Sequence, residues 1–265
     1  MPLSPLARRY DQFILDLDGC VWLGPEAVPG APEAVAALRE AGKRLAFATN
    51  NSRSGTEDYV ARLWGMGIQA SLADVVTAGG AMQHLLADAF TGRTAFVIGT
   101  SAMYRHVTDA GLKVMNGTDL ASRAEVVVLA GSDDLSFDDL CVATLAVRRG
   151  AEFLTTSRDP TYPQPEGLWP GTGAIVAALE TSTGRTATLV GKPEPRLFVT
   201  ALDRLGEGRT LVVGDRVASD LAAAAAAGLD GAFVLSGEGT RDDLNGFEPA
   251  PVAVADDLGE LLLSR

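Results

Sequence analysis

An α/β fold on a mainly parallel, doubly wound sheet is what this 265-residue sequence predicts, and three observations carry it. Short apolar runs alternate with segments of helical period, the pattern of successive βαβ units. Three of those runs end in residues that carry oxygen, and in a doubly wound sheet ligands bind in the crevice outside the carboxyl ends of the strands. The middle of the chain has an alternation of its own, so a second α/β unit stands between the halves of the first.

Residues 13–17 read as a buried strand that finishes at Asp16 and Asp18. A helix over 31–41 follows and stops at Gly42, since glycine closes a helix at no steric cost. The next strand, 45–48, ends in Thr49, Asn50 and Asn51. The middle unit supplies strands at 95–98, 126–130 and 153–155 and helices at 101–110 and 136–149. Its stretch 157–173, with four prolines and three glycines, is too irregular for an element and long enough to suggest function. Strands return at 189–190 and 211–213, the latter running into Asp215. Between them, 195–205 puts Leu197, Phe198, Ala201, Leu202 and Leu205 on one helical face, with Gly206 just beyond. The alanine-rich stretch 221–227 reads as a close-packed helix. The division predicted is a core of residues 1–86 and 187–265 with an inserted unit at 87–186.

Composition narrows the function. Thirty-four acidic against 22 basic residues leave a net charge of −12, which repels phosphate backbones and anionic lipid heads, so neither nucleic acid nor a membrane surface is expected as partner. Arg8 and Arg9 are followed by no signal-length apolar core before Asp16 and Asp18, and the apolar tract 221–235 is broken by Gly228 and Asp230. Cys20 and Cys141 have no metal-knuckle spacing, and a reducing cytoplasm is the expected setting.

Asp16-Leu17-Asp18-Gly19 sets two carboxylates at i and i+2, on one face if the strand continues that far. Alone, Asp-Gly is as readily a tight turn. Downstream stand Thr49-Asn50-Asn51, Gly191-Lys192-Pro193 and Gly214-Asp215-Arg216 with Asp220, each after a strand. If Asp16, Asp18, Asp215 and Asp220 share a crevice, each pair ~4 Å apart repels by about 4 kcal/mol at an effective dielectric of about 20, and Lys192 offsets only one charge. Such a cluster calls for a divalent cation, and oxygen donors without His or Cys select Mg²⁺ over Zn²⁺. Acid pair, hydroxyl, lysine and metal suit phosphoryl transfer. Asp16 would attack phosphorus, and Asp18 would protonate the leaving alkoxide and then activate water. The Thr49 hydroxyl and the Asn50 amide would hold phosphoryl oxygens, with Lys192 neutralising nucleophile and phosphate.

In that order the four motifs, Asp16-Leu17-Asp18-Gly19, Thr49-Asn50, Lys192-Pro193 and Gly214-Asp215-Arg216 with Asp220, resemble those of the haloacid dehalogenase superfamily. Ala48-Thr49-Asn50-Asn51-Ser52, Pro170-Gly171-Thr172-Gly173 and Val190-Gly191-Lys192-Pro193 are similar to patterns of its NagD-type, p-nitrophenyl phosphatase and pyridoxal phosphate phosphatase branch. The resemblance implies a Rossmann-like core with an inserted C2-type α/β cap. It implies Mg²⁺ on Asp16, the Asp18 backbone carbonyl and Asp215, with Asp220 behind them, and substrate contacts from Thr49, Asn50, Asn51, Lys192 and Tyr162. Asp18 argues against dehalogenation, because the superfamily's phosphatases carry this second aspartate. Tyr162 stands where the pyridoxal phosphate phosphatases have a histidine, and Ser157 where many relatives have Asn or Asp.

The expected activity is Mg²⁺-dependent hydrolysis of a small phosphomonoester: a sugar phosphate, glycerol phosphate, phosphoglycolate, nucleotide or pyridoxal phosphate. A phosphotransferase or mutase with the same intermediate, or a non-catalytic phosphometabolite-binding protein, are the alternatives. The oligomeric state, a homodimer included, stays open. Trp22, Trp64 and Trp169 read first as packing, Cys20 as an inert buried thiol, and Arg53 and Arg158 as contacts either to a second substrate anion or to solvent.

Overall fold

Gln12–Leu15 is buried at every residue, which is what a central strand covered on both faces requires. In the computed structural model, which describes residues 1–164 and 167–264, it lies third from one edge of a six-stranded sheet. The order is Val254–Ala255, Asp230–Val234, Thr210–Gly214, Gln12–Leu15, Arg44–Thr49, Val75–Thr77. Leu15 stands in parallel register with Val213 on one side and Phe47 on the other. Phe13, Leu15, Leu211 and Val213 point to one face and enter a core with Val35, Leu38, Leu63 and Leu262, each such buried side chain contributing about 1.5–3 kcal/mol. Arg196–Leu205 packs on Arg44–Thr49 through Leu197, Phe198, Ala201 and Leu205.

From Gln12–Leu15 the chain steps outward to Arg44–Thr49 and Val75–Thr77. It later returns on the other side through Thr210–Gly214, Asp230–Val234 and Val254–Ala255. The strand order therefore reverses between Gln12–Leu15 and Thr210–Gly214, and the crevice at such a reversal is where a doubly wound sheet binds ligands.

This sheet belongs to a unit of residues 1–49, 56–76 and 192–265; a second unit comprises 50–55 and 77–191. The division expected from sequence, at 86/87 and 186/187, places the strand at 189–190 in the core, whereas Thr188–Leu189 lies at the edge of the second unit's sheet. The second unit carries a parallel five-stranded sheet in the order Thr188–Leu189, Glu152–Thr155, Val126–Leu129, Thr94–Ile98, Lys113–Val114. Phe96, Ile98, Val127, Leu129 and Phe153 meet Val176 and Leu179 of the helix Thr172–Thr183 in its core. Ser136 caps the helix Phe137–Arg148 and Asp139 caps back, a reciprocal pair that satisfies two otherwise unpaired donors. No helix among the described residues is long and apolar enough to cross a membrane.

Two expectations need correction. The first strand stops at Leu15, so Asp16 and Asp18 do not share a strand face: residues 17–22 form a tight turn. The stretch 157–173 is not wholly irregular, for Thr161–Gln164 and Gly167–Pro170 pair as an antiparallel hairpin. Its prolines disguised it, yet a two-stranded hairpin has edges on which proline removes no required donor. Gly171 and Gly173 then let the next helix begin against the backbone of Arg158 and Asp159, where a Cβ would overlap the Asp159 and Arg158 carbonyls.

Candidate active site

Parallel register delivers the first two carboxylates. The Asp16 amide donates to the Val213 carbonyl at 2.9 Å, so Asp16 leaves one central strand beside the point where Asp215 leaves its neighbour. Asp220 is added by the wide helical turn Val217–Leu221, whose opening amide, Arg216 N, donates to Asp220 Oδ2 at 3.0 Å. One ligand oxygen from each of Asp16, Asp215 and Asp220 falls within 4.8 Å of the others, and all three residues are buried.

Lys192 lies between them. Its ammonium donates to Asp16 Oδ1 at 2.5 Å and to Asp220 Oδ1 at 2.6 Å, and it is 3.4 Å from the Ala48 carbonyl. With 3% of the lysine exposed, burial alone would lower its pKa, and the two carboxylates more than reverse that and raise it. Burial pushes Asp16 well above the usual carboxylate range; Asp220 and Asp215 push the same way, and Lys192 opposes. Asp215 is pushed up to about 7, by burial first and by Asp220 second. One ammonium thus faces three carboxylates, an imbalance that a divalent cation would correct.

The donor set fits such an ion. Both oxygens of Asp220 accept from protein donors, and Asp215 Oδ2 accepts from the Glu238 amide at 2.8 Å. Asp215 Oδ1 is buried without a hydrogen-bond partner. A buried carboxylate oxygen left so is costly unless a cation meets it, and an all-oxygen group suits Mg²⁺. The backbone is shaped to these carboxylates: a Cβ on Gly237 would overlap Asp215 Oδ2, one on Gly19 would crowd the same oxygen, and one on Gly214 would overlap Asp220. Gly19 also takes φ +89°, a conformation other residues seldom adopt.

Asp18 sits in the turn that follows. The Leu17 carbonyl accepts from the amides of Val21 at 2.9 Å and Trp22 at 3.0 Å, and this folds Trp22 back so that its Nε1 donates to Asp18 Oδ1 at 2.8 Å. Sequence reasoning missed this role for Trp22; its spacing of four residues from Asp18 was the available signal.

Thr49 is buried at the end of its strand, two residues beyond the Phe47 that pairs with Leu15. Asn50, Asn51 and Tyr162 belong to the second unit. There Asn50 Nδ2 lies 3.5 Å from Asp159 Oδ2, Asn51 Oδ1 accepts from the Arg53 amide, and the Arg53 guanidinium stands 4.2 Å from the Tyr162 ring centroid and pairs with Asp133. Arg158 is paired with Glu180 at 2.6 Å. Cys20 is fully buried with its thiol pKa pushed well up by burial and then by Asp16, the state of an unreactive thiol.

A doubly wound sheet whose switch point gathers three buried carboxylates around a lysine has the oxygen donors of a divalent-cation site at the place where such sheets bind ligands. The chain belongs to the haloacid dehalogenase-like hydrolases: residues 13–113 match the model of the haloacid dehalogenase-like hydrolase family, and residues 189–261 match a second model of the same kind. It is 35% identical over 262 residues, 98% of this chain and 73% of the relative, to the D-glycerol 3-phosphate phosphatase of Mycobacterium tuberculosis. It is 31% identical to the acid sugar phosphatase of Staphylococcus aureus, covering 96% of this chain and 98% of that one. The crystal structure of the glycerol phosphate phosphatase of Mycobacterium tuberculosis in complex with magnesium superposes with a TM-score of 0.89 at 36% identity, over 98% of this chain and 78% of that one. The 4-nitrophenylphosphatase of Thermotoga maritima does so with a TM-score of 0.87 at 33% identity, over 97% and 98%.

Proposed function

We propose that this phosphatase hydrolyses a small phosphomonoester through a phosphoryl group carried on Asp16, with glycerol phosphates and sugar phosphates as its substrate class. The observation that carries the reading is the Lys192 ammonium on both Asp16 and Asp220, beside an Asp215 oxygen that has no protein partner. The substrate class is supported by the activities of relatives that align along nearly the whole chain.

Asp16, the Asp18 backbone carbonyl and Asp215 would hold Mg²⁺, with Asp220 fixing Lys192 and the turn behind them. When bound, the ion supplies positive charge to the phosphoryl oxygens and lowers the repulsion among the carboxylates. The rest is the chain's own work. Lys192 opposes the effect of burial on Asp16 and favours its ionised form, and a carboxylate oxygen of Asp16 attacks phosphorus while the bond to the leaving oxygen breaks. Asp18 gives its proton to that leaving alkoxide. In the second half Asp18, now a carboxylate, takes a proton from water as the water oxygen attacks phosphorus, and Asp16 is released with inorganic phosphate. The Thr49 hydroxyl and the Asn50 amide would hold phosphoryl oxygens, and Asn51 and Tyr162 would contact the remainder of the substrate.

The test is release of free phosphate across a panel of glycerol, sugar and nucleoside monophosphates, phosphoglycolate and pyridoxal phosphate. Asp16→Asn is expected to abolish release while keeping the fold. Retained turnover, or transfer of phosphate only to a second organic hydroxyl, would reject the reading.

A further inference from the structure

The indole of Trp22 is fully buried, and its N–H is bonded to a carboxylate rather than to a backbone carbonyl. An indole N–H can only donate, so the bond occupies Oδ1 of Asp18 and directs any exchangeable proton to Oδ2. The ring is itself held from the helix Thr56–Gly65. Tyr59 stacks near it, with ring centroids 6.4 Å apart and planes 7° apart, and the Arg62 guanidinium lies 3.9 Å from its centroid. Tyr59 and Arg62, three residues apart, are neighbours on one helical face. Arg62 also donates to the Gly24 carbonyl, which ties the helix to the hairpin Trp22–Leu23 and Glu26–Ala27.

We propose that Trp22, clamped by Tyr59 and Arg62, is the positioning residue that aims the Asp18 carboxyl for proton transfer. The inference rests on the reading of Asp18 as acid and base. As the Asp16–phosphorus bond forms and the phosphorus–alkoxide bond breaks, the proton passes from Asp18 Oδ2 to the leaving oxygen. The charge left on Asp18 stays bonded to the indole N–H through Oδ1. The same bond holds the carboxylate while it takes a proton from the attacking water.

A buried tryptophan needs some acceptor for its N–H whatever its role. The two roles part on the leaving group. An alkoxide needs the proton, whereas p-nitrophenolate departs without one. Trp22→Phe, which keeps the ring stack and removes the donor, is therefore compared with the parent on glycerol 3-phosphate and p-nitrophenyl phosphate in the presence of Mg²⁺.

The first-turnover rate with glycerol 3-phosphate is expected to fall roughly 10- to 100-fold, the range for a misplaced general acid. The burst of p-nitrophenolate is expected to stay within about threefold of the parent, because only formation of the phosphoenzyme is read there. Equal losses on the two substrates would overturn the proposal. Asp18→Asn in parallel separates it from the underlying reading: selective loss in Asp18→Asn but not in Trp22→Phe rejects Trp22 alone, and selective loss in neither rejects both. Should Trp22→Phe not fold, Arg62→Met gives the decision, since it loosens the ring and keeps the N–H. A smaller shift of the alkyl-to-aryl ratio in the same direction supports the clamp, and an unchanged ratio overturns it.

Discussion

Withdrawal of the divalent cation should destabilise the protein by an amount that grows with pH, and Asp215 fixes the size. Its folded-state pKa without metal is about 7 against an ordinary value of 3.8, with burial as the main cause. Because the folded value is raised, the metal-free protein keeps the proton's contribution at low pH and loses it as pH climbs from the unfolded value through about 7. A shift of about three units is worth roughly 4 kcal/mol across that window. A cation needs the ionised carboxylate, so below about pH 7 each unit of acidification weakens its binding about tenfold, or about 1.4 kcal/mol. Urea unfolding at a fixed Mg²⁺ concentration and in chelator, repeated from about pH 5 to about pH 8, should show a stabilisation by Mg²⁺ that rises by about 3 kcal/mol and then levels. In Asp215→Asn the rise should be smaller, and what remains belongs to Asp16, whose pKa burial also raises. An Mg²⁺ increment that is the same at both ends of the range, or a rise as large in Asp215→Asn as in the parent, would refute the reasoning.

Lys192→Met should cost about 3–5 kcal/mol above neutral pH by leaving Asp16 and Asp220 without their shared ammonium, and acidification should restore much of it as the carboxylates take up protons; denaturant midpoints across pH check this. Gly237→Ala should cost about 1–3 kcal/mol and weaken Mg²⁺ binding, because the new methyl meets Asp215 Oδ2; titration calorimetry with Mg²⁺ reads the second effect, and unaltered affinity would contradict the shaping of that loop.

The carboxyl ends of the strands were the legible part of this chain. Asp16 and Asp215 follow short apolar runs, and the physics of a doubly wound sheet brings such ends together without knowledge of the intervening residues. That rule does not place Lys192, because the strand before it, Thr188–Leu189, belongs to the sheet of the second unit, and a lone lysine carries no signal of its own; only the order of the motifs set it beside the carboxylates. The pairing of Trp22 with Asp18 was hidden: it depends on a turn in which the Leu17 carbonyl gathers successive amides, and the sequence there is equally compatible with a longer strand. The two-residue strands Trp22–Leu23 and Glu26–Ala27 are too short for any periodicity. The pairing of Thr161–Gln164 with Gly167–Pro170 was hidden by proline content, which argues against a central strand and says nothing against an edge. Asn50 and Asn51 adjoin Thr49 in sequence yet pack with the second unit, a division made by tertiary contacts that composition does not record.

Covalent chemistry at Asp16 is the centre of this account, and rapid quench during turnover tests it most directly. With phosphorus-labelled glycerol 3-phosphate and Mg²⁺, label stopped in acid should appear on a single peptide that contains Asp16, rise before free phosphate does, and be absent from Asp16→Asn. Phosphate release with no protein-bound label at any time, or label mapped to another residue, would contradict it.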